Sequence, residues 1–129
     1  MSYNVRGTFT ANIEPLDHTP AEGISRFSLE KQFRGGLEGV SKGEMMTAGD
    51  PKLRAAGYVA MELVTGKLET RNGSFALQHL GTMDGNGRKL SVVIVPGSGT
   101  GELKGIQGTL QFEIAGEEHS YSLEYTLPQ

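Results

Sequence analysis

Apolar and polar residues alternate along most of this chain with a period of two. Tyr3, Val5, Gly7, Phe9, Ala11 and Ile13 interleave with Asn4, Arg6, Thr8, Thr10, Asn12 and Glu14, which predicts a half-buried strand. Leu16 to Glu22 carries two prolines and an Asp-His pair and reads as a loop. Ile24 to Arg34 alternates again, with Phe27, Leu29 and Phe33 on one face and Lys31 breaking that face. Gly35-Gly36 then signals a hairpin, and LEGVSKGEMM returns as a weaker, glycine-broken strand. Thr47 to Ala55 is the longest polar interruption, with a short helical turn expected after Asp50-Pro51 and a length suited to covering a barrel mouth.

Tyr58 to Leu68 is apolar on both faces, Tyr58, Ala60 and Val64 against Val59, Met61 and Leu63, with Glu62 set among the former. Such a strand is covered twice, by its own core and by a loop or a second subunit. Three strands follow, on Phe75, Leu77 and His79, on Leu90, Val92 and Ile94, and on Ile106, Leu110, Phe112 and Ile114. Asn72-Gly73, Asp84 to Gly87 and Ala115 to Glu117 supply turns. The last strand places His119, Tyr121, Leu123, Tyr125 and Leu127 on one face.

No stretch of ten or more residues repeats at helical spacing. About eight strands joined by short turns predict an all-β fold, a single antiparallel closed barrel spanning residues 1–129 as one domain. Eight strands are enough to close a barrel whose interior is filled by side chains or holds one small ligand. Phe9, Phe27, Leu29, Phe75, Leu77, Val92, Ile94, Leu110, Phe112, Leu123 and Tyr125 should share that interior.

Composition narrows the chemistry. There is no cysteine among the 129 residues, which removes disulfides and thiolate metal sites. The net charge is −3 and the basic residues are scattered, so a nucleic-acid footprint is lacking. The N-terminus starts directly in alternation with no apolar run, so neither a signal peptide nor a membrane span is expected, and the cytoplasm is the expected location.

The candidate site residues are Glu62, His79, His119, Tyr121, Ser98, Thr100 and Glu102. Histidines on inward faces suit a ligand or acid–base chemistry; the plainer reading makes each a core histidine satisfied by one hydrogen bond. Metal is not expected, since no HxH or HxxxH spacing exists, and no cofactor is expected. Glu62 and Lys31 either pair across the lumen or reach solvent, and for Lys31 the solvent reading, by snorkelling, is expected. With Asn72-Gly73 as the two-residue turn, Glu62 opposes Met83 and His79 opposes Gly66. The two then share a face but lie over ~10 Å apart along the strand. Gly97 to Gly101 lacks the ending of a phosphate loop. Ser98 and Thr100 are expected to cap backbone donors there, with Glu102 facing solvent or capping the same turn.

The segments LEKQFRGGLEGVSKGEM (29–45), GYVAMELVTGKLETRNGSFALQH (57–79), VVIVPGSGTGELKGIQG and HSYSLEYTL (119–127) resemble a bacterial domain-of-unknown-function family, number 3224. The resemblance implies a calycin-like antiparallel barrel of the allene oxide cyclase kind, and an oligomer. It brings no catalytic residues, because none of those of allene oxide cyclases or dirigent proteins matches a position here. The expected function is binding of a small apolar or amphipathic molecule in the lumen. The alternatives are a cyclase or isomerase acting in the same cavity, or a structural module with a filled core.

Overall fold

The computed structural model describes residues 2–128, and the alternation becomes eight long strands. They are β1 (Ser2–Pro15), β2 (Ile24–Gly35), β3 (Leu37–Asp50), β4 (Ala55–Leu68), β5 (Arg71–Asp84), β6 (Gly87–Ile94), β7 (Gln107–Ala115) and β8 (Glu118–Thr126). Each pairs antiparallel with its sequence neighbours, and β8 returns to β1, so the sheet closes as a barrel. Closure removes the sheet edges that another chain could extend, except along the β6–β7 seam, where the described residues form one register pair. The inward row follows from parity: odd positions on β1, β2, β3, β5 and β8 face even positions on β4, β6 and β7.

The two ends of the barrel differ. At the lower end lie the β2–β3 and β4–β5 turns and the long β6–β7 connection. That connection plugs the barrel, with Leu103 and Ile106 fully buried against Phe33, Leu37, Leu68, Phe75 and Leu123. At the upper end the inward-facing Ile13, Leu90 and Ile114 remain 47%, 50% and 65% exposed. Of the eleven residues expected to share the interior, nine are buried, while Phe27 and Phe112 are half-buried toward this upper end.

Two expectations need correction. Thr47 to Ala55 is no separate loop. β3 and β4 continue as a ladder to the Asp50–Ala55 pair, and only Pro51–Leu53 forms a 3-10 turn, capped by the Asp50 carboxylate on the Lys52 N–H. The β4–β5 turn is at Glu69-Thr70, between the Leu68–Arg71 pair, with Glu69 in the left-handed region. Asn72-Gly73 lies inside β5, where Gly73 has another use: a Cβ there would overlap the Thr100 carbonyl of the plug. Both registers point the same residues inward, so alternation does not choose between them. The observed one pairs all of β5 up to Met83 with β4 and keeps Gly73 for the plug.

Candidate functional site

Glu62 is the centre of the polar interior. It occupies an inward position on β4 and is 1% exposed. Its register partners are Gly43 on β3 and Leu77 on β5, neither of which offers a hydrogen bond from its side chain. The donors come from farther along the neighbouring strands. Ser41, two residues before Gly43, donates its hydroxyl to Oε1 at 2.7 Å. Lys31 is the register partner of Ser41 on β2, and its long stem reaches past β3 to place Nζ 2.9 Å from Oε2. His79 pairs in register with Ala60, so it stands diagonally from Glu62, and Nε2 comes within 2.6 Å of Oε2. Tyr58 continues the chain outward, its hydroxyl 3.2 Å from Nδ1 of His79. The Tyr58 ring lies over Gly81, its register partner, where any Cβ would overlap it.

Aromatic rings wall this network. The Lys31 ammonium sits 4.2 Å from the centroid of Phe112, 5.4 Å from Phe9 and 6.0 Å from Phe33, a cation–π cage around a charge withdrawn from water. The His79 ring stacks on Phe112 at 5.5 Å. Burial alone pushes the Glu62 carboxyl up, but the hydrogen bond from His79, the charge of Lys31 and the bond from Ser41 outweigh it and hold the group down at about 2. Glu62 is therefore a carboxylate. Lys31 is shifted down by burial, which its single carboxylate partner only partly offsets. Tyr58 is shifted up, by burial first and by the Glu62 charge second, so its phenol keeps its proton.

The solvent reading of Lys31 is thus overturned: it is buried and ion-paired. The signal was its inward parity between Leu29 and Phe33, and snorkelling failed because Lys31 lies mid-barrel, far from either rim. Glu62 and His79, expected over ~10 Å apart in the Asn72-Gly73 register, are in direct contact because the turn lies three residues earlier. No local signal in the sequence marks Ser41 or Tyr58. Ser41 hides in the glycine-broken β3, and Tyr58 reads from its neighbours as an ordinary core aromatic.

The remaining candidates lie apart from the network. His119 is half-buried, its ring 5.3 Å from Phe9, and it makes no hydrogen bond with Glu62 or His79. The Tyr121 hydroxyl accepts from the Leu37 N–H at 2.9 Å and shares its proton between the Arg34 and Leu37 carbonyls, pinning the β2–β3 turn. Ser98, Thr100 and Glu102 act as a surrogate strand for the lower half of β5, which β6 does not reach. Glu102 accepts from Asn72 N–H, Thr100 from Ser74 N–H and Ser98 from Ala76 N–H. Alternate backbone donors along β5 are thereby satisfied. Among the described residues, no three His, Asp or Glu side chains converge as a metal would need.

Fold and site together define a class: a closed, eight-stranded antiparallel barrel, plugged at one end, with a buried Lys–Glu–His cluster in its lumen. Residues 5–125 match the profile of the family described as protein of unknown function (DUF3224). The chain belongs to that family. It is also similar to a crystal structure of a protein of unknown function from the same family in Shewanella oneidensis MR-1. The two are 38% identical, with 100% of this chain and 99% of the other covered, at a TM-score of 0.90. No curated protein matches.

Proposed function

We propose that the barrel binds a small amphipathic molecule at its upper end, with the polar group on Tyr58 and the apolar body among Leu90, Phe112 and Ile114. The observation that carries this reading is the exposure of Ile13, Leu90 and Ile114 at inward positions, 47%, 50% and 65%, in a barrel whose lower half buries Leu37, Val64, Leu68, Phe75 and Leu123 to 1% or less. Inward apolar groups that water still reaches lack a packing partner, and a lumen of this kind is a usual place for a ligand. The buried ion pair supports the same reading. A core needing only stability is served as well or better by apolar side chains of similar volume, and clusters of titratable groups in a cleft favour a functional site.

Native mass spectrometry of the protein purified from its own host tests this. A small molecule should travel with the wild-type chain, leave on denaturation, and be absent from a Leu90→Asp/Ile114→Asp variant of unchanged melting temperature. A bare wild-type chain that also shows no thermal shift with any apolar alcohol or phenol would sink the reading.

One observation favours a second reading, a proton-moving isomerase. Tyr58, His79 and Glu62 form a continuous hydrogen-bonded chain from the upper lumen to a carboxylate, the arrangement by which a carboxylate orients an imidazole for acid–base work. Deuterium uptake from D2O into a bound ketone, absent in His79→Gln, is the expected mark of that activity.

A further inference from the structure

We propose that this site takes its ligand as a hydrogen-bond donor to Tyr58, so that a neutral molecule bearing a hydroxyl is accepted and its matching ether refused. The inference rests on the lumen reading above and adds which chemical class the lumen takes.

The polarity of the site follows from its hydrogen bonds, taken from the inside outward. Glu62 is a carboxylate with Lys31 and His79 on one oxygen and Ser41 on the other. A carboxylate only accepts, so His79 must carry a proton on Nε2 and donate it. Lys31 already balances the charge of Glu62, and an imidazolium beside them would be a second buried cation without a counter-charge. The imidazole is therefore neutral, and Nδ1 bears a lone pair. Tyr58 then has to donate its single proton to Nδ1. Its phenolic oxygen makes no other hydrogen bond among the described residues, so with its proton committed it has only lone pairs to offer a ligand.

No other group of the network is free to face a ligand. The Ser41 hydroxyl is spent on Glu62 and is 1% exposed. The Lys31 ammonium is covered by Phe112, Phe9 and Phe33. With Lys31 and Glu62 cancelling, neither a carboxylate nor an amine is drawn in by charge. What the network offers is one acceptor at the end of a lumen lined by Phe112, Leu90 and Ile114, with His119, the register partner of Ile114, on the β8 wall; that acceptor fits an alcohol or phenol on a flat or alicyclic body.

Two measurements test this separately from the lumen reading. Nitrogen-15 NMR of the imidazole should show His79 neutral with its proton on Nε2; a proton on Nδ1, or an imidazolium at neutral pH, overturns the assignment with no ligand involved. Calorimetric titration with 2-naphthol and 2-methoxynaphthalene then reads the site directly. The naphthol should bind about tenfold or more tightly than the ether, and Tyr58→Phe, folded by its melting curve, should bring the two together. Equal binding of both by the wild type would overturn the donor rule while leaving the lumen reading in place. Absence of binding by both probes at millimolar concentration would overturn the lumen reading and the donor rule together.

Discussion

Lys31 on β2 and Glu62 on β4 meet at 2.9 Å across an intervening strand, and the Ser41 hydroxyl of that strand closes on the same carboxylate. Both charges are almost wholly withdrawn from water, with side-chain exposures of 6% and 0%. Removing one partner strands the other. Glu62→Gln or Lys31→Met should each cost about 3–5 kcal/mol in urea unfolding. The double variant should cost clearly less than the two losses combined, because neither charge is left alone. Additive losses would show that the pair is not coupled in solution.

Acid should act on the same carboxylate. Glu62 is held at about 2, against 4.5 for the free group. A depressed carboxyl contributes stability that is fully present above 4.5 and lost as pH falls toward 2. At ~1.4 kcal/mol per pH unit the loss amounts to about 3 kcal/mol. Arg26 and Glu44 form an ion pair on the exposed surface that also lowers Glu44, but salt screens such pairs. Urea melts at pH 6, 4 and 3 in 0.5 M NaCl should therefore fall steeply for the wild type and hardly at all for Glu62→Gln. Parallel curves would place the acid-sensitive group elsewhere.

Alternation was enough to read the barrel, because one buried face per strand writes itself into every second residue. Even the site was partly legible: Glu62 and His79 were visible as polar breaks in apolar rows. What alternation does not carry is the longitudinal register between strands. A shift of the β4–β5 turn from Asn72-Gly73 to Glu69-Thr70 leaves each residue on the same face yet moves His79 from beside Gly66 to beside Ala60. Distance within a face, and so the contact between Glu62 and His79, is set by closure of the whole barrel and by the plug that needs Gly73. The burial of Lys31 is illegible for a related reason. Its partner lies two strands away, where no local pattern points.

Gly81 holds the outer end of the network in place by having no side chain. A Cβ there would overlap the Tyr58 ring, and the ring can swing outward at small cost because it is only half-buried. Gly81→Ala is expected to lower stability by no more than about 1–2 kcal/mol while breaking the Tyr58–His79 contact. Tyr58→Phe and Gly81→Ala should then share one phenotype, equal affinity for 2-naphthol and its methyl ether. Retained discrimination in Gly81→Ala would mean that the ring is placed by something other than the glycine.

The outer wall carries an apolar band that the closed barrel does not use. Met46, Val59 and Leu80 are successive cross-strand partners on β3, β4 and β5, and Met61 and Leu63 extend the band along β4. All five are between 40% and 59% exposed. A continuous patch of this kind is costly to leave in water, and a two-fold axis through β4 would lay it on its own copy. Light scattering at micromolar concentration should report a dimer that Met61→Lys/Leu63→Lys converts to monomer without loss of melting temperature. A monomeric wild type would remove this expectation.

The seam between β6 and β7 is the weakest join in the barrel. Val93–Thr109 is its one register pair among the described residues, whereas every other seam has seven or more. Above that pair no further register pair joins the two strands among the described residues, and toward the upper end Leu90 and Ile114 are exposed. Continuing the register would set Ser91 opposite Gln111, Leu90 opposite Phe112 and Lys89 opposite Glu113. The first and last of these pairs are polar and face outward; the middle one is apolar and faces in. The residues are thus complementary for closure, and the open edge carries outward charges that discourage pairing with foreign strands. The row Tyr58, Gly81, Leu90 leads from the polar network to this seam, so the seam is the expected entry for the proposed ligand. Hydrogen exchange should find the seam-facing amides of residues 87–92 and 110–115 unprotected, while β4 and β5 stay protected on both sides. Added 2-naphthol should slow exchange at the seam before any other part of the chain. Protection there equal to that of β4 in the free protein would show a closed wall, and the entry route would then have to lie over the rim between Ile13 and Phe27.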